Sequence, residues 1–281
     1  MHTWHWQSWD GAPFLTCDLL ADWPHGFFTH QFWPQTPETL IDALQPSATV
    51  HRVKQVHGNT VLTPAEMPQT LEKSPAATAV ATQPPNSQLE SPPESLPQRP
   101  PADGIVTDAP IQSAWVCSAD CNPVLIANCQ TRQVAAIHAG WRGTALKIIP
   151  VAVQRLLQHG SQIQDLRVAI GPAIAGEVYQ VSTHVAAEVG QTVVAAGQFT
   201  NPDDLLQYLR NLDNPPVLND TQPGRARLDV RRINVLQLKQ LGFIDAQIAI
   251  APHCTYQEPG RFFSYRRTQE KKVQWSGIVS Q

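Results

Sequence analysis

Charge is scarce in this sequence. Of 281 residues only 15% are Asp, Glu, Lys or Arg, the formal net charge is −3, and no sustained Lys/Arg stripe is present. A large nucleic-acid or anionic-membrane footprint is thereby excluded, and the expected partner is a small molecule. No apolar stretch approaches the roughly 20 residues of a membrane-crossing helix. The leading MHTWHWQSWDGAPF lacks a basic run followed by an apolar one, so a cytoplasmic protein is expected. Cysteine is sparse too: Cys17, Cys117, Cys121, Cys129 and Cys254 are odd in number and widely scattered, unlike the disulfide framework of a small secreted domain. Reduced thiols leave metal or nucleophilic chemistry as the special role open to any of them. What the chain does have is 42% hydrophobic residues, a globular composition whose length suits one large domain as well as two small ones.

From about Pro64 to Pro101 the composition shifts to Pro, Ser, Gln and Ala, with few aromatic or branched apolar residues. Such a stretch cannot bury enough surface to offset its ordering entropy, so it is predicted to be a mobile insertion inside one domain spanning 1–281. Beyond it, SAWVCSADCNPVLIAN and RQVAAIHAG read as β-rich runs, broken near Ala119 and Asp120 and joined through turn-forming Asn128 to Gln133. Gly143 to His159 carries apolar residues at helical spacing and stops at Gly160, which predicts one helix closed by glycine. Leu166 to Ile170 and Asp245 to Ala251 read as strands; His184 to Ala196 and Val230 to Leu241 read as helices.

Three short segments set a good zinc ligand beside small or turn-forming residues: VKQVHGNTV at His57, CSADCNPVL at Cys121 and AIHAGWRG at His138. Singly, each has a plainer reading, a hydrogen-bonded histidine or a small buried thiol. Together they make a His-Cys-His set, and catalytic zinc takes three protein ligands with one open position. Their wide spacing matches no compact zinc finger, so tertiary structure must assemble them.

The strings KQVHGNTV, ADGIVTD, SADCNPVL, AAIHAGWRG, AIGPAI and FFSYRR occur in the order of the polyphenol oxidase/laccase-domain family, also described as multicopper polyphenol oxidoreductase-like, which this chain resembles from about Gly26 to Arg267. The resemblance implies zinc held by His57, Cys121 and His138, and an α+β sandwich of mixed β-sheets flanked by helices with the metal pocket at one end. Interleaved strands and helices alone do not separate that fold from a doubly wound sheet. It further implies a purine nucleoside phosphorylase acting on adenosine, inosine, guanosine and methylthioadenosine with phosphate, with adenosine deaminase activity. The expected partners are nucleosides and phosphate, without nucleic acid or membrane, and the expected state is a monomer or small homo-oligomer.

Other residues carry paired readings. Cys121 is a ligand or a nucleophile activated by histidine; Asp120 orients a ligand histidine or caps a turn. Arg142 binds phosphate or a ribose hydroxyl, or pairs with an acid. Trp141 stacks on a purine or plugs the following helix. Tyr265 and Arg266 reach the pocket or fix the C-terminal strand, while Phe262, Phe263 and Cys117 are expected in the core. Cys254, in APHCTY, offers an alternative metal ligand. In HGFFTHQFWPQTP, His30 stands where the family often has arginine, which weakens expected phosphate binding there and makes it pH-dependent. The stretch RRTQEKKVQ also departs from the family pattern. Two competing functions stay open: a copper laccase, disfavoured by only two methionines and no dense histidine motif, and a non-catalytic scaffold of the same fold.

Overall fold

The computed structural model describes residues 2–72 and 99–281. Strands β1 (Trp4–Trp9), β2 (Ala12–Cys17) and β3 (His25–Phe28) form an antiparallel meander. β4 (Thr49–Arg52), β5 (Val61–Leu62) and β6 (Gly104–Val106) follow, then three longer strands, β7 (Gln112–Ser118), β8 (Asn122–Asn128) and β9 (Val134–Ala139). β10 (Leu166–Ile170), β11 (Gln180–Ser182), β12 (Val217–Leu218), β13 (Arg225–Leu228), β14 (Ile248–Ile250) and β15 (Gln274–Val279) complete the set among the described residues.

They build two six-stranded mixed sheets, β1-β2-β3-β15-β7-β4 and β14-β10-β8-β9-β6-β5, and a small sheet β11-β13-β12. Leu15, Phe27, Val116 and Ile278 of the first sheet meet Ile105, Leu125, Ala136 and Ala169 of the second in one core. On the second sheet's other face, Val124, Ile126, Ala135 and Ile137 pack against the helices Ile148–Gln158 and Val230–Gln240. β8 and β9 are buried along their whole length because both faces are covered, hence their unbroken apolar sequences. The expected α+β sandwich of mixed sheets flanked by helices is the fold observed.

The break near Asp120 has a topological meaning. β7 belongs to the first sheet and β8 to the second, so residues 119–121 carry the chain between layers, with Asp120 in the left-handed region at φ 93°. β8 and β9 then form the expected antiparallel pair, placing Pro123 opposite His138.

Several boundaries differ from expectation. Gly143 to His159 is not one helix: α-helices Trp141–Ala145 and Ile148–Gln158 are separated at Lys147, φ 59°, and the Leu146 carbonyl freed there accepts the Asn59 amide at 2.9 Å. The helix from position 184 spans Thr183–Gly190 and tightens to a 3-10 turn, where Thr192 Oγ1 donates to the Val189 carbonyl. Asp245–Gln247 is a 3-10 turn whose Gln247 amide donates to the Ile163 and Leu166 carbonyls, which leaves only Ile248–Ile250 as strand. The start of the Pro-rich stretch is helical: a Thr63/Glu66 capping box opens Pro64–Glu66, continued by Met67–Glu72. The expected mobility of positions 73–98 lies outside the described residues. No helix among those described is long and apolar enough to cross a membrane.

Candidate metal and nucleoside site

The three candidate ligands come from three elements that meet at one end of the sandwich. His57 is exposed on the loop after β4, His138 is buried on β9, and half-buried Cys121 ends the inter-sheet turn. One ligand atom from each lies within 4.8 Å of the others, and the two imidazole rings stand edge to face with centroids 4.9 Å apart. Among the described residues no second group of three such ligands exists. Cys121 is brought this close because the residue before Trp141 is glycine: a Cβ at Gly140 would stand 2.7 Å from the Cys121 sulfur.

Asp103 organises the cluster. It is wholly buried and accepts hydrogen bonds from the backbone N–H of Val56 (3.1 Å), His57 (2.9 Å) and Gly58 (2.7 Å). His138 Nδ1 is 2.9 Å from Asp103 Oδ1, which leaves Nε2 as the ligand nitrogen. Burial works against the Asp103 carboxylate, but His138 and these N–H groups outweigh it and hold it below the usual carboxylate range. Burial likewise works against the Cys121 thiolate, yet the His138 charge and hydrogen bonds from both histidines bring it down to about 6. His138 is the mirror case, pushed up to about 9 against the burial cost by the Cys121 thiolate and Asp103. Without metal each partner favours the charged form of the other, thiolate against imidazolium.

The cluster opens into a cavity of about 610 Å³. Arg142, Tyr265 and Arg266 line it. Arg142 stacks on Trp141 with its guanidinium 4.4 Å from the ring centroid and makes no ion pair among the described residues. Trp141 touches the cavity and packs on the helical core. Arg266 lies over Tyr179 at 4.8 Å and donates to the Gln180 carbonyl. Tyr265 is 47% exposed at the mouth.

Other expectations resolve differently. Asp120 lines the cavity, but its carboxylate accepts from Thr255 Oγ1 and the Arg266 N–H, both at 2.7 Å, so it ties loops together while Asp103 orients the histidine. His30 does not line the cavity; its ring stacks obliquely on Phe263, 5.4 Å away. Phe262 is core, Phe263 only partly buried. Cys117 is not core: it lines the cavity, half-buried, where burial pushes its thiol up to about 12. Cys254 is buried away from the cluster, its sulfur accepting the Ala175 N–H.

Sequence reasoning passed over Asp103, Gln55, Tyr179, Lys271 and Lys272. Gln55 clamps the Cys117 N–H and carbonyl, both at 2.7 Å. Tyr179 lines the cavity, and burial holds its phenol protonated far above the usual range. The sequence held a signal only for the lysines, which lie in the RRTQEKKVQ departure.

A family model described as multi-copper polyphenol oxidoreductase laccase matches residues 35–279. A Synechocystis protein named purine nucleoside phosphorylase is 54% identical over 277 residues, 99% of this chain and 97% of that one. A protein named adenosine deaminase RL5, from an unknown prokaryote, is 32% identical over 165 residues, 59% of this chain and 56% of that one. Among solved structures, Bacillus licheniformis YfiH shares the fold with TM-score 0.72 at 23% identity, covering 97% of this chain and 98% of that one. YlmD from Geobacillus stearothermophilus gives TM-score 0.70 at 24% identity, covering 98% of each chain. The chain belongs to the laccase-like polyphenol oxidoreductase family, among relatives named purine nucleoside phosphorylase.

Proposed function

We propose that this protein is a zinc-dependent purine nucleoside phosphorylase, with adenosine, inosine, guanosine and methylthioadenosine as substrates. The observation that carries the reading is the His57-Cys121-His138 cluster on the wall of a nucleoside-sized cavity lined by cations. The donor set fits the ion: two imidazoles and a thiol already biased to thiolate, with a carboxylate behind one histidine. His57, Cys121 and His138 would hold zinc, and when bound it supplies Lewis acidity at an open position.

Phosphorolysis joins a phosphate oxygen to C1′ of the ribose as the C1′–N bond breaks, giving free base and ribose 1-phosphate. Phosphate is an anion, and Arg142, Arg266 and Lys271 line the cavity without acidic partners among the described residues. These cations neutralise phosphate, Tyr179 presents a neutral hydroxyl, and the Trp141 and Tyr265 rings offer faces for a purine. Adenosine deamination is a second activity of the same pocket, favoured by the three-ligand set with one open position and by the relative named adenosine deaminase.

Copper laccase chemistry is disfavoured by the residues present. A multi-copper oxidase needs a further histidine cluster, and none exists among the described residues. Met67 packs against the core between the sheets. Metal content with product analysis tests the reading: about one zinc and phosphate-dependent base release support it. Several coppers with phenol oxidation, or no metal and no turnover, point instead to the laccase or to a scaffold.

A further inference from the structure

We infer that Asp103 is a positioning residue that sets two of the three metal ligands at once, through a backbone nest on one side and an imidazole on the other. Consecutive N–H groups that converge on one point form an anion-binding concavity. Here Val56, His57 and Gly58 form it, and the anion is the chain's own carboxylate: Oδ2 takes Val56 and Gly58, Oδ1 takes His57. His57 adopts φ 61°, a conformation that non-glycine residues rarely take, and the nest is what maintains it in an exposed loop. The same Oδ1 meets His138 Nδ1 and fixes which ring nitrogen faces the cluster.

The base of this clamp is rigid. Asp103 immediately precedes β6, its N–H donates to the Thr60 carbonyl, and its own carbonyl accepts the His138 N–H at 2.7 Å. Four donors occupy its two oxygens, so the carboxylate orients ligands rather than joining them. His57 and His138 share one support, while Cys121 is held separately by the inter-sheet turn and the close approach of Gly140. The site is therefore shaped before metal arrives.

Orienting partners of this kind are each worth about 10- to 100-fold in metal affinity. With two ligands depending on one carboxylate, Asp103→Asn weakens zinc binding by about 100-fold or more. The amide keeps the shape, but whichever way it points, its NH₂ faces two N–H donors that previously met oxygen.

The inference rests on His57, Cys121 and His138 being metal ligands, and one set of titrations separates the two claims. Zn²⁺ affinity is measured by chelator competition on wild type, Asp103→Asn, His57→Ala and the double variant, with Co²⁺ spectra of each. Expected are tight binding by wild type, about a 100-fold or greater loss in Asp103→Asn, and a clearly smaller Asp103→Asn effect once His57 is absent. A general loss of stability would not make the effect depend on His57. Wild type that binds no Zn²⁺ overturns the ligand reading and the inference with it. Wild type that binds while Asp103→Asn stays within threefold, or loses equally in both backgrounds, overturns the role of Asp103 alone. Should Asp103→Asn not fold, amide exchange in metal-free wild type decides: slow exchange at Val56, His57 and Gly58 supports the nest, and exchange at exposed-loop rates overturns it.

Discussion

Gly140→Ala is a small change aimed at the centre of the site. The glycine has φ −69° and ψ 171°, a region open to alanine, so the backbone carries no penalty. The new methyl instead lands 2.7 Å from the Cys121 sulfur and 3.6 Å from His57 Cδ2. Comfortable non-bonded contact needs about 3.5 to 4 Å, so the sulfur must retreat by about 1 Å. Zinc–sulfur bonds sit near 2.3 Å, and a ligand set tolerates only about ±0.2 Å, so the shift removes Cys121 from coordination. Overpacking of this size costs about 1–3 kcal/mol of stability, too little to unfold a typical domain. Thermal unfolding and chelator competition are measured together, with Gly260→Ala as control because nothing stands near its added methyl. A folded Gly140→Ala protein with wild-type zinc affinity would refute the placement of Cys121 as a ligand pressed against Gly140.

Alkylation of the metal-free protein by iodoacetamide should follow the Cys121 thiolate: fast above about pH 6, slowing as pH falls through about 6 and the thiolate takes up a proton. Peptide mass spectrometry should show Cys117, pushed up to about 12, unreactive across that range, and zinc should protect Cys121. A Cys121 midpoint near the ordinary thiol value contradicts the imidazolium contact. Arg142→Met and Lys271→Met should each raise the KM for phosphate about tenfold or more while leaving the nucleoside KM within a few fold, since each loses a charge-assisted bond. Equal effects on both substrates contradict the assignment. Asp120→Ala strips the acceptor from Thr255 and from the Arg266 N–H, so it should lower stability by about 1–3 kcal/mol with zinc affinity unchanged. A zinc defect without a stability defect would give Asp120 the role assigned to Asp103.

Which parts of this were legible beforehand follows from how local each signal is. His57, Cys121 and His138 each sit in a short distinctive string, so resemblance could pick them out although their spacing could not. Asp103 could not be singled out, because its meaning comes from Val56, His57, Gly58 and His138, all distant in sequence, and an Asp in ADGIVTD looks like any turn residue. The sequence reads as one continuous helix from position 143 because apolar spacing runs on across Lys147, and a left-handed lysine leaves no compositional mark. Its strand context suggests core for Cys117, but β7 ends one residue later at the open end of the sandwich, where a strand residue becomes cavity wall. The sandwich itself was not separable from a doubly wound sheet by pattern, since β8 and β9 are buried on both faces and read like parallel-sheet strands. His30 drew attention by comparison with the family, yet packing on Phe263 keeps it out of the cavity wall.

The central claim is that a metal cluster of His57, Cys121 and His138 serves phosphorolysis of a purine nucleoside. Its most direct test is hypoxanthine release from inosine by the zinc-loaded protein, with and without phosphate, beside Cys121→Ala. Release that requires phosphate, yields ribose 1-phosphate in equal amount and disappears in Cys121→Ala is the result expected. Release that is indifferent to phosphate, or that persists in Cys121→Ala, contradicts it.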